Sequence, residues 1–394
     1  MKLPHCFEPG SPSHARENND RSQSLKKLRS IPRRGCVPHL LVALASLTLL
    51  GAAHAAELTV VASGLKNPRG LDFAPNGALY IAEAGVGGSG PSVVGPEGPV
   101  FFGLSGSVTR LWKGGQERII EGLPSLARAD GSSAGGATSI SFGGLGNGVL
   151  TIGLGLDPAK RALLGAPAAG MGSAYQLRPN GSLKRLADLA AYEAANDPDG
   201  YGPDSNLTGV LNEPAGAYFV DAGANALLHV AANGAVSVVA VFPNRIVPTP
   251  PFLPKPPFSN TIPMQAVPTN VVRGPDGALY VSQLTGFPFP KGAANIYRVV
   301  PGSAPTVFAG GFTNIIDLEF DAAGNLYVLE ISTNGLLAPG PGRLARVNVN
   351  GTVDTVISAG LVMPGGMAIG PDGAVYITNF GTSPTGGEVV RVQP

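Results

Sequence analysis

The sequence predicts an all-β fold, a closed six-bladed β-propeller with four strands in each blade. One unit of sequence recurs clearly three times, as residues 68–83, 268–283 and 364–379. With weaker copies included, the glycines that anchor its first turn lie 47 to 71 residues apart, a period that fits four short strands better than a pair of helices. The six anchoring glycines are Gly77, Gly148, Gly216, Gly277, Gly324 and Gly373.

Alternating apolar and polar residues divide the first unit into strands at 70–73, 79–83, 107–111 and 116–120. Asn-Gly and Asp-Gly pairs fall between the first and second strands and between the third and fourth, where positive φ costs these residues little. The first kind of turn is predicted at Asn76-Gly77, Asp276-Gly277 and Asp372-Gly373, the second at Asn180-Gly181, Asn233-Gly234 and Asn350-Gly351.

The two ends of the repeated region complete the count of strands. The chain ends after a third-type strand at 388–392, and the first unit is preceded by a lone fourth-type strand at 58–61. Pairing these two strands makes the sixth blade and removes the two sheet edges that an open array would expose. We therefore expect a closed ring over residues 57–394.

Residues 1–56 have the composition of an export leader. Residues 1–36 contain eight Lys or Arg and three acids, and an apolar stretch of fourteen residues follows at 37–50. Ala53-His54-Ala55 then offers a cleavage site of small residues. Fourteen residues are few for a membrane span, so we expect cleavage near Ala56, no stable membrane anchor, and a secreted or periplasmic protein. The pair Arg33-Arg34 leaves general and twin-arginine export both open.

Removal of the leader leaves 19 basic and 23 acidic residues, no cysteine and one histidine, His229. This composition excludes disulfides, thiolate metal sites, cysteine nucleophiles and any triad or zinc site that needs more than one histidine, and it provides no basic stripe for nucleic acid. We expect a monomer whose partner is a small molecule or a protein. His229 is predicted to be structural, because it shares a third-strand position with Arg110, Gln176, Arg298, Arg346 and Arg391.

Long insertions are predicted on one face of the propeller only. Connections from second to third strands and from each blade to the next emerge on that face, and long loops on a rigid scaffold commonly carry binding residues. The opposite face holds tight turns. The long loops are 84–106, 121–137, 155–172, 187–205, 243–267 and 284–292.

Hairpin geometry places the start of each first strand beside the end of each second strand, around the mouth of the central channel. Carboxylates among these residues are candidate ligands for a hard cation such as Ca²⁺, namely Glu83, Asp221 and Glu330. The alternative is a set of polar residues that lines a water-filled channel. The candidate ligand-binding residues are Asn67, Arg69, Glu83, Asn206, Asp221, Asn270, Gln283, Asn314, Glu330 and Asn379, accompanied by Thr138, Ser139, Thr208 and Thr269.

One further segment, residues 196–204, has the acid and glycine density of a calcium loop. It lacks a glutamate at the twelfth position and contains two prolines, Pro198 and Pro203. The sequence therefore favours a solvated connection here.

Several runs of sequence are specific enough to indicate a family. They lie at residues 64–71, 81–85, 95–98 and 221–228, and at 283–290, which reads Gln-Leu-Thr-Gly-Phe-Pro-Phe-Pro. Through these runs the chain resembles the ScyD/ScyE family, whose name comes from an association with biosynthesis of the pigment scytonemin in cyanobacteria. The resemblance implies an exported propeller and brings no catalytic residues with it.

Two classes of function follow from these observations. The first, which the sequence favours, is a non-catalytic exported propeller that binds a small molecule or a protein on its loop-rich face. The alternative is a metal-dependent hydrolase or lactonase of the gluconolactonase-like kind, using the carboxylate and amide ring at the channel mouth. A quinoprotein sugar dehydrogenase is less favoured, because histidine and basic residues suited to that cofactor are lacking.

Overall fold

A computed structural model describes residues 57–144, 146–178 and 181–394. Six antiparallel sheets form the six blades of a β-propeller, each with the four predicted strands, and the sheet of blade 1 carries one additional strand. The predicted fold class is thus confirmed. The leader, residues 1–56, lies outside the described residues, and so does Asn180 of the predicted Asn180-Gly181 turn. Within the described part of the chain, no helix has the length and apolar character to cross a membrane.

The N-terminal half of the described chain contributes one closing strand and the first three blades. We call the first strand of each blade, nearest the channel, its inner strand. The elements are β1 (Leu58–Leu65) for closure; β2 (Pro68–Phe73), β3 (Leu79–Glu83), β4 (Ser92–Gly95), β5 (Gly98–Trp112) and β6 (Gly115–Ala127) in blade 1; β7 (Ala137–Phe142), β8 (Gly148–Ile152), β9 (Ser173–Leu177) and β10 (Leu183–Asp188) in blade 2; and β11 (Leu207–Glu213), β12 (Gly216–Asp221), β13 (Ala226–Ala231) and β14 (Val236–Val241) in blade 3.

The C-terminal half forms a separate hairpin and three more blades. In blade 6, β1 lies beside the last strand of the chain, and Leu58 pairs with Val392. The predicted closure of the ring is therefore confirmed. The elements are the hairpin β15 (Arg245–Pro248) and β16 (Thr261–Met264); β17 (Pro268–Arg273), β18 (Leu279–Gln283), β19 (Ala294–Val299) and β20 (Thr306–Phe312) in blade 4; β21 (Ile315–Phe320), β22 (Leu326–Glu330), β23 (Arg343–Val347) and β24 (Val353–Ile357) in blade 5; and β25 (Gly366–Ile369), β26 (Val375–Asn379) and β27 (Gly387–Val392) in blade 6.

The segments predicted as long loops contain more regular structure than the sequence indicated. In blade 1, β5 and β6 extend well beyond 107–111 and 116–120 as a bulged ribbon, with β4 paired to its edge. Loop 155–172 holds two 3₁₀ helices, Pro158–Leu164 and Ala166–Gly170, and loop 187–205 holds α1 (Leu189–Asn196). The sequence did not predict these elements because the hydrogen bonding within an insertion is particular to that insertion and does not recur from blade to blade.

The tight turns of the opposite face have the predicted conformation. Gly77, Gly277 and Gly373 have φ values of 83°, 79° and 74°, which glycine tolerates best. In each turn the preceding Asn or Asp side chain accepts a hydrogen bond from the backbone N–H two residues later, as Asn76 does from Ala78. These turns start the second strand of each blade in a fixed register.

The repeated third-strand position is also confirmed. His229 lies opposite Tyr218, with ring centroids 4.7 Å apart, and Arg110 lies opposite Tyr80 in the same register. The pairs Tyr280–Arg298, Tyr327–Arg346 and Tyr376–Arg391 repeat it, and Val149–Gln176 occupies it in blade 2.

The hydrophobic core is divided into layers between neighbouring blades. Between blades 6 and 1, for example, Ile81 and Leu79 pack with Val389 and Ala368. Burial of these side chains on both faces of each sheet holds the blades in a ring and fixes the polar residues at the channel mouth.

Candidate functional site

A cavity of about 430 Å³ opens at the mouth of the central channel, on the face that carries the long insertions. Its upper wall comes from the blade 1 ribbon, including Glu97, Val100 and Arg128. Its floor and lower walls come from the inner strands of blades 1 to 5 and from Gly365, just before the inner strand of blade 6. The volume lies within the range usual for small-molecule sites.

Inner strands reach the cavity with consecutive residues because their pairing is interrupted there. A β-bulge shifts the register near the start of the inner strand in blades 1 to 5, for example between Pro68 and Leu71. A bulge sets two residues against one and breaks strict alternation. The inner-strand residues on the wall are Arg69, Gly70, Thr138, Ser139, Thr208, Thr269, Asn270, Ile316 and Asp317, joined by Asn206 and Gly365 next to such strands.

The carboxylates predicted at the channel mouth point elsewhere, into their own blades. Glu83, at the end of β3, is fully buried. It accepts hydrogen bonds from the Lys66 backbone N–H (2.7 Å) and the Thr109 hydroxyl, and forms an ion pair with Arg118 at 3.0 Å. Glu83 thereby ties the chain entering blade 1 to the outer strands of that blade.

The same contact recurs in three other blades, at the last residue of the second strand. Asp221 accepts from the Asn206 backbone N–H at 2.7 Å, and Glu330 accepts from that of Thr313 at 2.5 Å. Asn379 accepts from the Val362 backbone N–H at 2.7 Å. We call these four side chains, Glu83, Asp221, Glu330 and Asn379, the blade latches. Each fixes the connection that leads into an inner strand.

Further bonds complete the latches. Glu330 also pairs with Arg343, and Asp221 accepts from the Ser205 hydroxyl at 2.7 Å. Burial raises the pKa of Asp221 to about 6, and its hydrogen bonds from Ser205 and the backbone oppose that rise. The latch carboxylates are therefore held by donors within their own blades.

The three carboxylates proposed from sequence to share a cation are not brought together. Among the described residues, Glu193, Asp197 and Asp199 form a cluster of three metal-ligating side chains, and no such cluster contains Glu83, Asp221 or Glu330. These carboxylates stay apart because each one, at the end of a second strand, accepts a hydrogen bond from a backbone N–H at the entrance to its own blade.

Three other candidate residues also have structural contacts. Gln283 accepts from the Asn295 backbone N–H at 3.1 Å. Asn67 donates to the carbonyls of Gly85 (2.7 Å) and Gly131 (2.8 Å), and Asn314 donates to that of Leu284 at 2.6 Å. Asn67 and Asn314 have φ values of 48° and 50°, a left-handed conformation that asparagine tolerates better than most residues. Of the ten candidates, Arg69, Asn206 and Asn270 line the cavity, and their role in binding stays a prediction.

Arg69 is the basic residue deepest in this cavity wall. Its guanidinium donates to the Ala134 carbonyl at 2.7 Å, and no carboxylate lies within ion-pair distance among the described residues. Burial lowers the pKa of Arg69 to about 10, although the group stays charged at neutral pH. Gly365 passes so close that an added Cβ would lie 3.2 Å from the Arg69 Cα. A partly dehydrated positive charge therefore faces the cavity with no carboxylate of the described residues at ion-pair distance.

Acidic residues of the inner strands lie along the channel. Asp317 accepts from the Asn270 side chain and from the Met367 backbone N–H. Burial raises the pKa of Asp317 to about 7 and that of Asp72 to about 6, against the effect of their hydrogen bonds. Burial also raises the pKa of Glu319 well above its ordinary value, and the charges of Asp72 and Asp317 add to the rise.

Sequence reasoning missed Asp317 and the apolar part of the wall. Aligning Asn314 with Asn67 puts Ile316 where Arg69 stands and Asp317 where Gly70 stands, so the repeat itself held the signal. The apolar residues Leu284 and Ile331 directly follow second strands, Leu154 lies two residues after one, and all three line the cavity. They gave no signal, because apolar residues after a strand are common.

Comparison with known proteins shows the fold alone. No family model matches the chain, and no curated protein matches it. A protein of unknown function from Bacteroides thetaiotaomicron has a TM-score of 0.51 at 10% identity, over 86% of this chain and 72% of the other. A streptogramin B lyase has a TM-score of 0.46 at 11% identity, over 86% and 97% of the two chains. A gluconolactonase from Xanthomonas campestris has a TM-score of 0.40 at 12% identity, over 68% and 80%.

Proposed function

We propose that this protein is a non-catalytic binding propeller whose cavity takes a small organic anion with an apolar body. The observation that carries the proposal is Arg69, a partly dehydrated guanidinium with no carboxylate partner, in a cavity of about 430 Å³. Charge-assisted hydrogen bonds to an arginine are among the stronger contacts available to a carboxylate, and the planar fork can make two of them.

The remaining lining residues fit such a ligand. Leu154, Leu284 and Ile331 supply an apolar wall, while Thr138 and Asn206 offer hydroxyl and amide groups. A few polar groups that orient a ligand within a mainly apolar wall are typical of small-molecule sites. We infer that the charged end of the ligand meets Arg69 and that its body contacts the apolar residues.

The hydrolase alternative has less support at this site. Its proposed carboxylates, Glu83, Asp221 and Glu330, are engaged as blade latches and do not line the cavity. The histidine of the described chain, His229, lies in β13 and does not line the cavity either. Binding without turnover therefore remains the function we favour.

The binding proposal is tested with a library of small aliphatic and aromatic carboxylates. We expect some of them to raise the melting temperature by mass action on the folded state. Arg69→Met should weaken their binding about tenfold or more in calorimetry, because one charge-assisted contact is lost. Arg178→Met, which removes an exposed arginine at the end of the third strand of blade 2, is the matched control. Equal binding to both variants would contradict the proposal.

We further propose that the protein acts outside the cytoplasmic membrane and belongs with the ScyD/ScyE propellers that it resembles. The support is the basic, apolar and small-residue order of residues 1–56 and the sequence runs such as 283–290. N-terminal sequencing of exported material should give a start near Ala56. Intracellular protein that retains Met1 would contradict the first part.

A further inference from the structure

The last turn of α1 contains a carboxylate whose burial nothing nearby explains. Glu193 is fully buried, and neither of its carboxylate oxygens has a hydrogen-bond partner. Burying a carboxylate without a partner is costly, and groups left in this state call for a specific compensating contact.

Two more carboxylates meet Glu193 from the loop that follows the helix. One oxygen each from Glu193, Asp197 and Asp199 lies within 4.8 Å of the other two. Asp197 accepts from the Gly202 backbone N–H at 3.1 Å, and Asp199 accepts from the Asn225 side chain at 2.7 Å. These donors hold the two aspartates in place beside the Glu193 carboxyl group.

The cluster has no basic partner among the described ion pairs. Three ionised carboxylates at this spacing repel one another, and burial of one of them strengthens the repulsion. Burial raises the pKa of Glu193 to about 8; the charges of Asp221, Asp199 and Asp197 contribute to the rise, and the nearby Asp204 backbone N–H opposes it. A cation held among the three oxygens would offset both the repulsion and the dehydration.

We propose that Glu193, Asp197 and Asp199 bind a divalent cation of the calcium type. Calcium prefers carboxylate oxygens and tolerates irregular geometry, with backbone carbonyls and water completing its coordination. The sequence favoured a solvated loop because no glutamate stands at the twelfth position. In the structure the third ligand comes from the preceding helix, an arrangement that the loop pattern does not describe. The site is separate from the cavity at Arg69.

Cation binding has a structural consequence for the rest of the loop. The chain continues from Asp199 to Ser205 and then to Asn206, which lies on the cavity wall. Ser205 forms an isolated antiparallel β-bridge with Leu156. A cation would fix the beginning of this loop as Asp221 fixes its end. It would stabilise the loop without requiring a ligand in the cavity.

The test uses the full chain, freed of metal with a chelator and titrated with calcium chloride. We expect one calcium ion per chain in calorimetry and a rise of several degrees in melting temperature. Glu193→Gln should weaken calcium binding about tenfold or more, and Asp199→Asn should do the same. Without calcium, Glu193→Gln should melt at or above the wild-type temperature, because the amide has nearly the shape of the carboxyl group and never carries a charge at this buried position.

Two control variants show whether calcium binds at this cluster in particular. Glu121→Gln removes one exposed carboxylate elsewhere and should bind calcium as the wild type does. Arg69→Met should also bind calcium normally, so that failure of the cavity proposal does not affect this result. A wild-type protein that neither binds calcium nor gains stability from it would overturn the proposal. So would unchanged binding in both Glu193→Gln and Asp199→Asn.

Discussion

The start of an inner strand and the end of the neighbouring second strand lie side by side in every blade, but their polar residues have different roles. Arg69 lines the cavity with one bond to a backbone carbonyl, whereas Glu83, which pairs with the neighbouring Pro68, is fully buried and bonded to three groups. Charge and polarity alone do not distinguish the two. Their hydrogen-bond partners do, and the comparison assigns binding to the inner strands and stability to the latches.

The largest effect is expected from a latch that carries an ion pair. Glu83→Ala leaves Arg118, the Thr109 hydroxyl and the Lys66 backbone N–H without their acceptor, so the free energy of unfolding should fall by about 3 kcal/mol. Chemical denaturation measures the change. Glu97→Ala, at the exposed rim, is the control and should stay near wild type. A neutral Glu83→Ala would remove the distinction between latch and wall.

A smaller loss is expected from the latch that has no charge. Asn379→Ala removes the acceptor of the Val362 backbone N–H and a donor to Gly360, which should cost about 1 to 2 kcal/mol. The exposed Asn260→Ala should change the free energy of unfolding by less than about 0.5 kcal/mol. If the two variants unfold alike, the latch depends on charge and not on its hydrogen bonds.

The acidic residues of the inner strands should make the stability of the protein depend on pH. Their pKa values are raised in the folded state, so the folded protein holds protons that the unfolded chain releases, and stability falls as pH rises from about 4 to 7. Glu319→Gln removes one such group and should raise stability at pH 8, with little change at pH 4. Glu121→Gln should leave the pH profile of the melting temperature unchanged. An identical profile in Glu319→Gln would contradict the raised pKa.

The smallest effect on stability is expected at the cavity itself. Arg69→Met loses one hydrogen bond to Ala134 but also removes a dehydrated charge, so unfolding should shift by less than about 0.5 kcal/mol. Together with weaker binding of anions, this result would separate binding from stability. Substantial unfolding of Arg69→Met would place Arg69 among the structural residues and weaken the binding proposal.

The repeat allowed the ring, its turns and its closure to be predicted, because each depends on a local pattern such as Asn76-Gly77 that recurs in register. The direction of side chains at the channel mouth could not be predicted in the same way. It depends on β-bulges such as that between Pro68 and Leu71, which set two residues against one and change which side chains face the cavity. The convergence of Glu193 with Asp197 and Asp199 could not be predicted either, because it depends on a helix in a segment that the sequence indicated to be a loop.

Closure of the ring also constrains the order in which the chain can fold. Leu58 in β1 pairs with Val392 in β27, at the far end of the described chain. During synthesis, β1 must therefore wait for nearly the whole polypeptide before its edge is covered, and contacts between such distant residues are slow to form. Until then the first strand is an exposed edge able to pair with other chains. A cell that makes this protein has to keep its first strand unpaired until its last one emerges.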